Sequence, residues 1–217
     1  MPLRRRSAWL LSFLVLLLAP APAALAAPPI PAVACSAEDY RGDPRLGPAV
    51  LPGRGVVGRE LRGYRRFGNL SASGFLARHW DPAANDGRGG WRYPPADGFV
   101  IGPDGEPVKR VTTLAPRQRL DRFGSEYGAF LARYGERYAR RSILPQNLDN
   151  AENPAGCNRR AYVVRRAFRV EAGPVAPAFE QPGRGIQYKL DGALVPGSPA
   201  RLNVLWLVEN GYLARLN

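Results

Sequence analysis

The sequence predicts an α+β fold: a twisted, mostly antiparallel β-sheet core with a few short helices and an N-terminal arm. Three observations predict it. Two short helical patterns, Arg59 to Phe67 and Ser71 to Trp80, precede Trp91. Runs rich in β-branched and aromatic residues dominate after it. The first two such runs flank the turn Gly102-Pro103-Asp104-Gly105, which is how a hairpin reads.

Taken in order, Met1 to Ala26 reads as a signal peptide. Arg4, Arg5 and Arg6 give it a positive start, Ala8 to Leu18 an apolar run, and Ala24-Leu25-Ala26 a small-x-small cleavage site. The apolar run is shorter than the roughly 20 residues of a membrane span. The expectation is a secreted protein, cleaved near Ala26/Ala27, with no stable membrane anchor afterwards; an uncleaved anchor is the alternative. Residues 27–39 read as a linker, and 40–90 as an N-terminal arm with a helical subregion. Ser71 is placed to cap the second helix, with Phe75, Leu76 and Trp80 on one apolar face.

Residues 91–217 form the main domain. Gly98 to Ile101 and Val108 to Leu114 are its hairpin strands. Asp121 to Phe130 reads as a turn followed by a short helix or loop. Ala161 to Val170 reads as one strand, Ile186 to Leu190 as another, and Leu202 to Leu216 as a helix broken at Asn210-Gly211.

The formal net charge is +13, and removal of three arginines with the signal peptide leaves about +10. Lys109 and Lys189 are the only lysines. Such a balance permits an anionic ligand, and equally fits a plain basic exported protein. Nucleic-acid binding would interleave aromatics with arginines on one face; here the arginines are scattered, so no nucleic acid is expected. Cys35 and Cys157 are the only cysteines, and an even count in an exported chain points to a disulfide, with two free thiols as the alternative.

Candidate chemistry is sparse. His79 is the only histidine, and the chain has no nucleophile elbow, metal-ligand cluster or glycine-rich phosphate loop. An enzyme of this composition works by holding an anionic substrate. The stretch Asp121-Arg122-Phe123-Gly124, with Arg141 and Gly185-Ile186-Gln187-Tyr188, offers two guanidiniums, an aromatic ring and an amide. Taken singly, Arg122 reads as a surface arginine, Phe123 as core, Arg141 as half of a solvated pair with Arg140, and Gln187 as a strand residue. Asp121 and Glu126 read as salt-bridge partners of nearby arginines rather than as a catalytic carboxylate pair.

From about Tyr40 to Leu216 the ordered motifs resemble those of the TNT (tuberculosis necrotizing toxin) domain family, and in particular its exported NAD-glycohydrolase members. The landmarks are Gly42-Asp43-Pro44-Arg45-Leu46-Gly47-Pro48, Tyr64-Arg65-Arg66-Phe67-Gly68, Trp91 to Phe99, Asp121 to Gly124, Arg141-Ser142-Ile143-Leu144-Pro145, Asn153 to Asn158, Gly185 to Tyr188 and Asn210-Gly211-Tyr212-Leu213. Two stretches depart from the pattern. Ala132 to Tyr138 replaces the usual Ala-Pro and Gly-Thr-Pro loop, and Arg160-Ala161-Tyr162-Val163 lacks the usual histidine.

The resemblance implies hydrolysis of NAD(P)+ to nicotinamide and ADP-ribose, as a toxin or NAD-depleting factor. It implies Gln187, Arg122 and Arg141 as catalytic residues and Phe123, Arg122, Arg141 and Tyr188 as substrate-binding residues. NAD is then substrate and no cofactor is needed. An immunity protein is a partner to expect. Some exported relatives hold calcium through an acidic C-terminal tail; Glu209 is the only acid after Asp191, so no metal site is expected. The competing readings are an ADP-ribosyl cyclase or transferase using the same cleft, and a non-catalytic basic binding module.

Overall fold

Alternation of buried and exposed side chains decides where the strands lie in the computed structural model, which describes residues 34–149 and 156–216. The signal-peptide reading, residues 1–33 in general, and Asn153 to Ala155 of one landmark lie outside the described residues. Short strands β1 (Trp80–Asp81) and β2 (Gly90–Trp91) pair antiparallel around the Asn85–Gly90 loop. Seven more make the main sheet: β3 (Arg110–Leu114), β4 (Arg119–Phe123), β5 (Phe130–Arg133), β6 (Arg159–Val164), β7 (Phe168–Pro174), β8 (Ile186–Lys189) and β9 (Leu213–Leu216). Their spatial order is β3-β7-β8-β5-β4-β6-β9, and every pairing is antiparallel. The predicted α+β class with an antiparallel sheet is what the chain adopts.

Three of the strand readings change. The strand expected over Ala161 to Val170 is two strands. Tyr162, Val164, Phe168 and Val170 share one parity and are all buried, so a straight strand would bury Arg166 among them. Instead the chain turns at Arg165-Arg166, both exposed, and their amides donate to the Tyr212 carbonyl at 2.7 and 3.3 Å. An unpaired buried guanidinium costs more than the turn. Asp121 to Phe130 is not a helix or loop throughout: β4 and β5 flank a turn, with Leu120 opposite Arg133 and Asp121 opposite Ala132. Gly98 to Ile101 forms only isolated bridges, Phe99 to Val175 and Ile101 to Pro107, around the expected turn.

The helices are short. α1 (Gly55–Glu60) overlaps the predicted Arg59 to Phe67 helix only at Arg59 and Glu60, the rest being turns and irregular chain, and it turns Val57, Glu60 and Leu61 inward. α2 (Ala72–His79) is capped as expected, the Ser71 hydroxyl accepting from the Gly74 amide at 3.0 Å. α3 (Val204–Glu209) is capped by Asn203 and stops at Asn210-Gly211, where Gly211 takes a positive φ of 72°. The residues beyond are β9, not helix, because Leu213–Leu216 completes the sheet beside β6. Among the described residues, no helix is long and apolar enough to cross a membrane.

Three apolar clusters result. One, between the sheet and α3, holds Leu120, Leu131, Tyr162, Val170, Tyr188 and Leu207. A second packs α1 on the other face of β4, with Val57, Leu61, Phe123, Tyr138, Leu148 and both cysteines. The third gathers Leu46, Phe67, Phe75, Leu144 and Phe179. The part of the expected linker that is described is therefore no linker. Cys35 is buried and bonded to Cys157, their Cα atoms 5.3 Å apart, and Ser36 and Asp39 pair with Val50 and Pro48. The arm is built into the domain: Val57 and Leu61 pack in the second cluster, and Leu46, Phe67 and Phe75 in the third.

Candidate active site

β4, β5 and β8 are adjacent, and on one face their pairing aligns Asp121, Ala132 and Gln187. Above this face lies a cavity of about 540 Å³. Arg122, Phe123, Phe130, Ala132, Ile186 and Gln187 form its sheet wall. The loop wall comes from Tyr93, Asp97, Ser142 to Leu144, Asn147 and Phe179. Thus four of the predicted residues, Arg122, Phe123, Arg141 and Gln187, line one cavity.

Tyr188 does not join them. It neighbours Gln187 along a strand, so its side chain points to the opposite face, where it is 5% exposed and packs with Leu131 in the first cluster. Its expected substrate-binding place is corrected to a core one.

Arg122 has unusual surroundings. Its Nη1 donates to the Phe130 carbonyl at 3.1 Å, and its Nε is buried without a hydrogen-bond partner. Among the described residues no carboxylate lies within 4.0 Å of it. Burial lowers its proton affinity, with the Arg160 charge adding to that effect. Tyr162 and the more distant Glu126 charge oppose that effect, and guanidinium stays protonated in proteins, so a cation without a close carboxylate borders the cavity. Gly128 makes room for it: a Cβ there would collide with the guanidinium.

Arg141 also carries its charge at the cavity, but that charge is compensated. Its Nη2 lies 2.6 Å from Asp121 Oδ1, too bent for a hydrogen bond, and 4.0 Å from Glu60 Oε2. Its Nε and Nη2 donate to the Glu136 carbonyl at 3.1 and 2.8 Å. Its guanidinium sits 5.2 Å from the centre of the Phe123 ring. That ring is 4% exposed and meets Tyr138 edge-on at 4.9 Å. Phe123 is therefore the floor of the cavity, with one face already occupied.

Gln187 is held by its Nε2 donating to the Asp97 carbonyl at 3.0 Å, which leaves Oε1 available as an acceptor. Gly185 lets this strand approach the loop wall, for its Cβ would strike the Arg140 carbonyl. Ala96, Asp97 and Ser142 have positive φ values of 51°, 57° and 45°. Strain of this kind persists only where surrounding structure enforces it, and it concentrates at functional sites.

The remaining cavity charges are paired. Asp97 meets Lys189 at 2.6 Å and Arg140 meets Glu136 at 3.4 Å. Glu126 accepts from Tyr162 at 2.9 Å and from Arg215 Nε at 2.8 Å, and the Arg215 hydrogen bond holds its carboxyl below the usual value of 4.5. Both candidate carboxylates, Asp121 and Glu126, are salt-bridge partners, as read from the sequence. His79 lies elsewhere, 3.0 Å from Glu180. Sequence reasoning did not single out Phe130 and Tyr93, exposed cavity-lining aromatics at 39% and 66%. Tyr93 lay within a quoted landmark; Phe130 carried no local signal beyond being an aromatic at a strand start.

Fold and site together define an antiparallel α+β domain whose cleft is lined by arginines, aromatic rings and an amide, with no histidine or cysteine among its lining residues. The family model of the tuberculosis necrotizing toxin matches residues 113–216. The chain is 43% identical over 176 residues to the conidial surface nicotinamide adenine dinucleotide glycohydrolase nadA of Aspergillus fumigatus, across 81% of this chain and 70% of that one. The chain belongs to the TNT family. Solved structures that it is similar to include tuberculosis necrotizing toxin complexed with its immunity factor, at 20% identity and TM-score 0.44 over 81% of this chain and 79% of that one. Another is Rhs1-CT in complex with its cognate immunity protein, at 11% identity and TM-score 0.32 over 50% and 77%.

Proposed function

We propose that this chain is an exported NAD(P)+ glycohydrolase that cleaves the nicotinamide–ribose bond to give nicotinamide and ADP-ribose. One structural observation carries the reading: Arg122, a guanidinium with no carboxylate within 4.0 Å among the described residues, borders a cavity of ligand-binding size. Pyrophosphate is the natural counter-charge. The 43% identity to a glycohydrolase supports it.

The chemistry suits the residues. Nicotinamide leaves as a neutral base from a pyridinium, so departure needs no general acid. The demanding species is the oxocarbenium-like ribosyl cation and the water that meets it. Arg122 would anchor the pyrophosphate. Gln187 Oε1, aimed from a rigid strand, would accept from a ribose hydroxyl or the attacking water. Phe130 and Tyr93 are the exposed rings that could meet the bases, Tyr93 also touching Phe179 edge-on at 5.9 Å, a part for which the buried Phe123 is less suited. Arg141, locked by carboxylates, shapes the floor and its field rather than binding phosphate alone. Positioning and fixed dipoles of this kind account for large rate factors.

The same proposal makes the protein secreted or surface-bound, in keeping with the conidial-surface relative, with NAD(P)+ as its substrate and an immunity protein as a partner to seek. Incubation with NAD should yield nicotinamide and ADP-ribose in equal amounts. Cyclic ADP-ribose or ADP-ribosylated protein in place of free ADP-ribose would move the reading to a cyclase or transferase. No nicotinamide release at all would sink it.

A further inference from the structure

The Arg141 ion pair belongs to a larger buried group. Asp121 is fully buried and lies between two guanidiniums, with Arg141 at 2.6 Å on Oδ1 and Arg159 Nη2 at 2.7 Å on Oδ2. Arg159, at the start of β6, is in turn held by Glu60 from α1. Its Nε lies 2.9 Å from both Glu60 oxygens and its Nη2 2.8 Å from one. Glu60 is 3% exposed. Two anions and two cations thus balance beneath the cavity floor, and the Gly135 amide donates to Asp121 at 2.7 Å. Charges this deep are stable only while paired.

Glu60 lies outside the segment that the family model matches, residues 113–216. Its helix, α1, packs through Val57 and Leu61 into the cluster that contains the disulfide and Phe123. We propose that Glu60 is a positioning residue for the cleft: by sharing Arg159 with Asp121 Oδ2, it leaves Asp121 Oδ1 to hold Arg141 in place under Phe123. The N-terminal arm thereby completes the active site without touching substrate. This rests on the glycohydrolase reading for its kinetic consequences, though not for its geometry.

Without the Glu60 charge, two guanidiniums compete for Asp121. Arg141 then loses its fixed place, and a second loose cation enters the cavity. Ground-state binding of an anionic substrate would hold or strengthen while the transition state loses its preorganised surroundings. The expected signature of Glu60→Gln is a kcat lowered about tenfold or more with KM unchanged or lower. The double variant Glu60→Gln/Arg159→Gln restores the charge balance and should recover most of that kcat.

Acid should mimic the single variant. Burial raises the Glu60 carboxyl above its ordinary value of 4.5, the Asp121 charge adds to the rise, and Arg159 and Arg141 oppose it. The wild-type kcat should then fall on the acid side with an apparent pKa that disappears in the double variant. An activity-independent reading keeps the two proposals apart: the Nε–H of Arg141, followed by nitrogen-15 NMR, should be protected from exchange in the wild type and in the double variant, and exposed in Glu60→Gln.

Protected Arg141 in a folded Glu60→Gln, or unchanged kcat and acid limb, overturns the positioning role. If Glu60→Gln does not fold, the double variant decides: low kcat there, with Arg141 still protected, also overturns it. Absence of turnover in the wild type, with the predicted NMR pattern intact, would refute the glycohydrolase reading and leave the positioning role standing.

Discussion

The two walls of the cleft are built on opposite principles. The sheet wall, β4, β5 and β8, is fixed by backbone ladders and, among the described residues, keeps one cation, Arg122, without a carboxylate within 4.0 Å. The loop wall has little regular structure and is fixed by side chains: paired charges, the Cys35–Cys157 bond and strained turns at Asp97 and Ser142. A ladder can tolerate an unsatisfied charge because its strands are held elsewhere. The loop wall instead matches its cavity-lining charges, Asp97 with Lys189 and Arg140 with Glu136. Under the proposed function, the difference assigns ligand affinity to the rigid wall and shape to the stapled one.

Four experiments would break or sharpen that comparison. The largest effect should come from the staple. The cysteines are 122 residues apart, and the chain-entropy model gives a bond closing so long a loop about 5 kcal/mol. Replacing both by serine should lower the denaturant midpoint accordingly, with protection against hydrogen exchange lost first in the loop wall. Uniform loss across both walls would contradict the division.

Next, Arg122→Met removes the cation and the penalty of burying it. Turnover should fall about 100-fold or more, the scale of losing one charged transition-state contact, while the melting temperature holds or rises. A lower melting temperature would show that Arg122 is structural. Gly128→Ala should act more mildly and more tellingly. It keeps the charge but drives the guanidinium from its niche, so a fall in kcat/KM of roughly tenfold is expected in a folded protein. Normal kcat/KM would mean the niche is irrelevant.

The smallest effect tests the loop wall alone. Asp149 follows the loop-wall turn Pro145–Leu148, and its Oδ1 is buried without a hydrogen-bond partner. Burial, with the Asp39 charge, pushes its carboxyl from 3.8 up to about 7, against the opposing Arg66. The folded state therefore binds this proton more tightly than the unfolded state, and stability falls as pH rises from about 4 through 7. Asp149→Asn should be more stable than wild type at pH 8, with the difference closing near pH 4. Equal stability at pH 8 would show the group to be solvated.

Much of the fold was legible in the residues. The β-branched runs, the Ser71 cap and the Asn210-Gly211 stop all reflect local preferences that survive in the folded chain. What was not legible depended on partners far along the chain. Ala161 to Val170 looks like one strand because period-2 apolar patterning carries no mark of a corner; only burial of its neighbours forbids Arg166 from continuing the row. β4 was hidden because Asp121 and Arg122 look like surface charges until Arg141, Arg159 and the Phe130 carbonyl surround them.

The site divides in the same way. By itself the sequence determined the inventory: one histidine, two cysteines, and arginines and a glutamine in the order of a known family. That already limits the chemistry, because composition decides which groups exist. Only the tertiary structure decided which of two similar arginines keeps a free charge, that Tyr188 faces away from its neighbour Gln187, and that Glu60 reaches the cleft floor. Free charge is a property of distance and burial, and both are set by contacts between residues that the chain order leaves far apart.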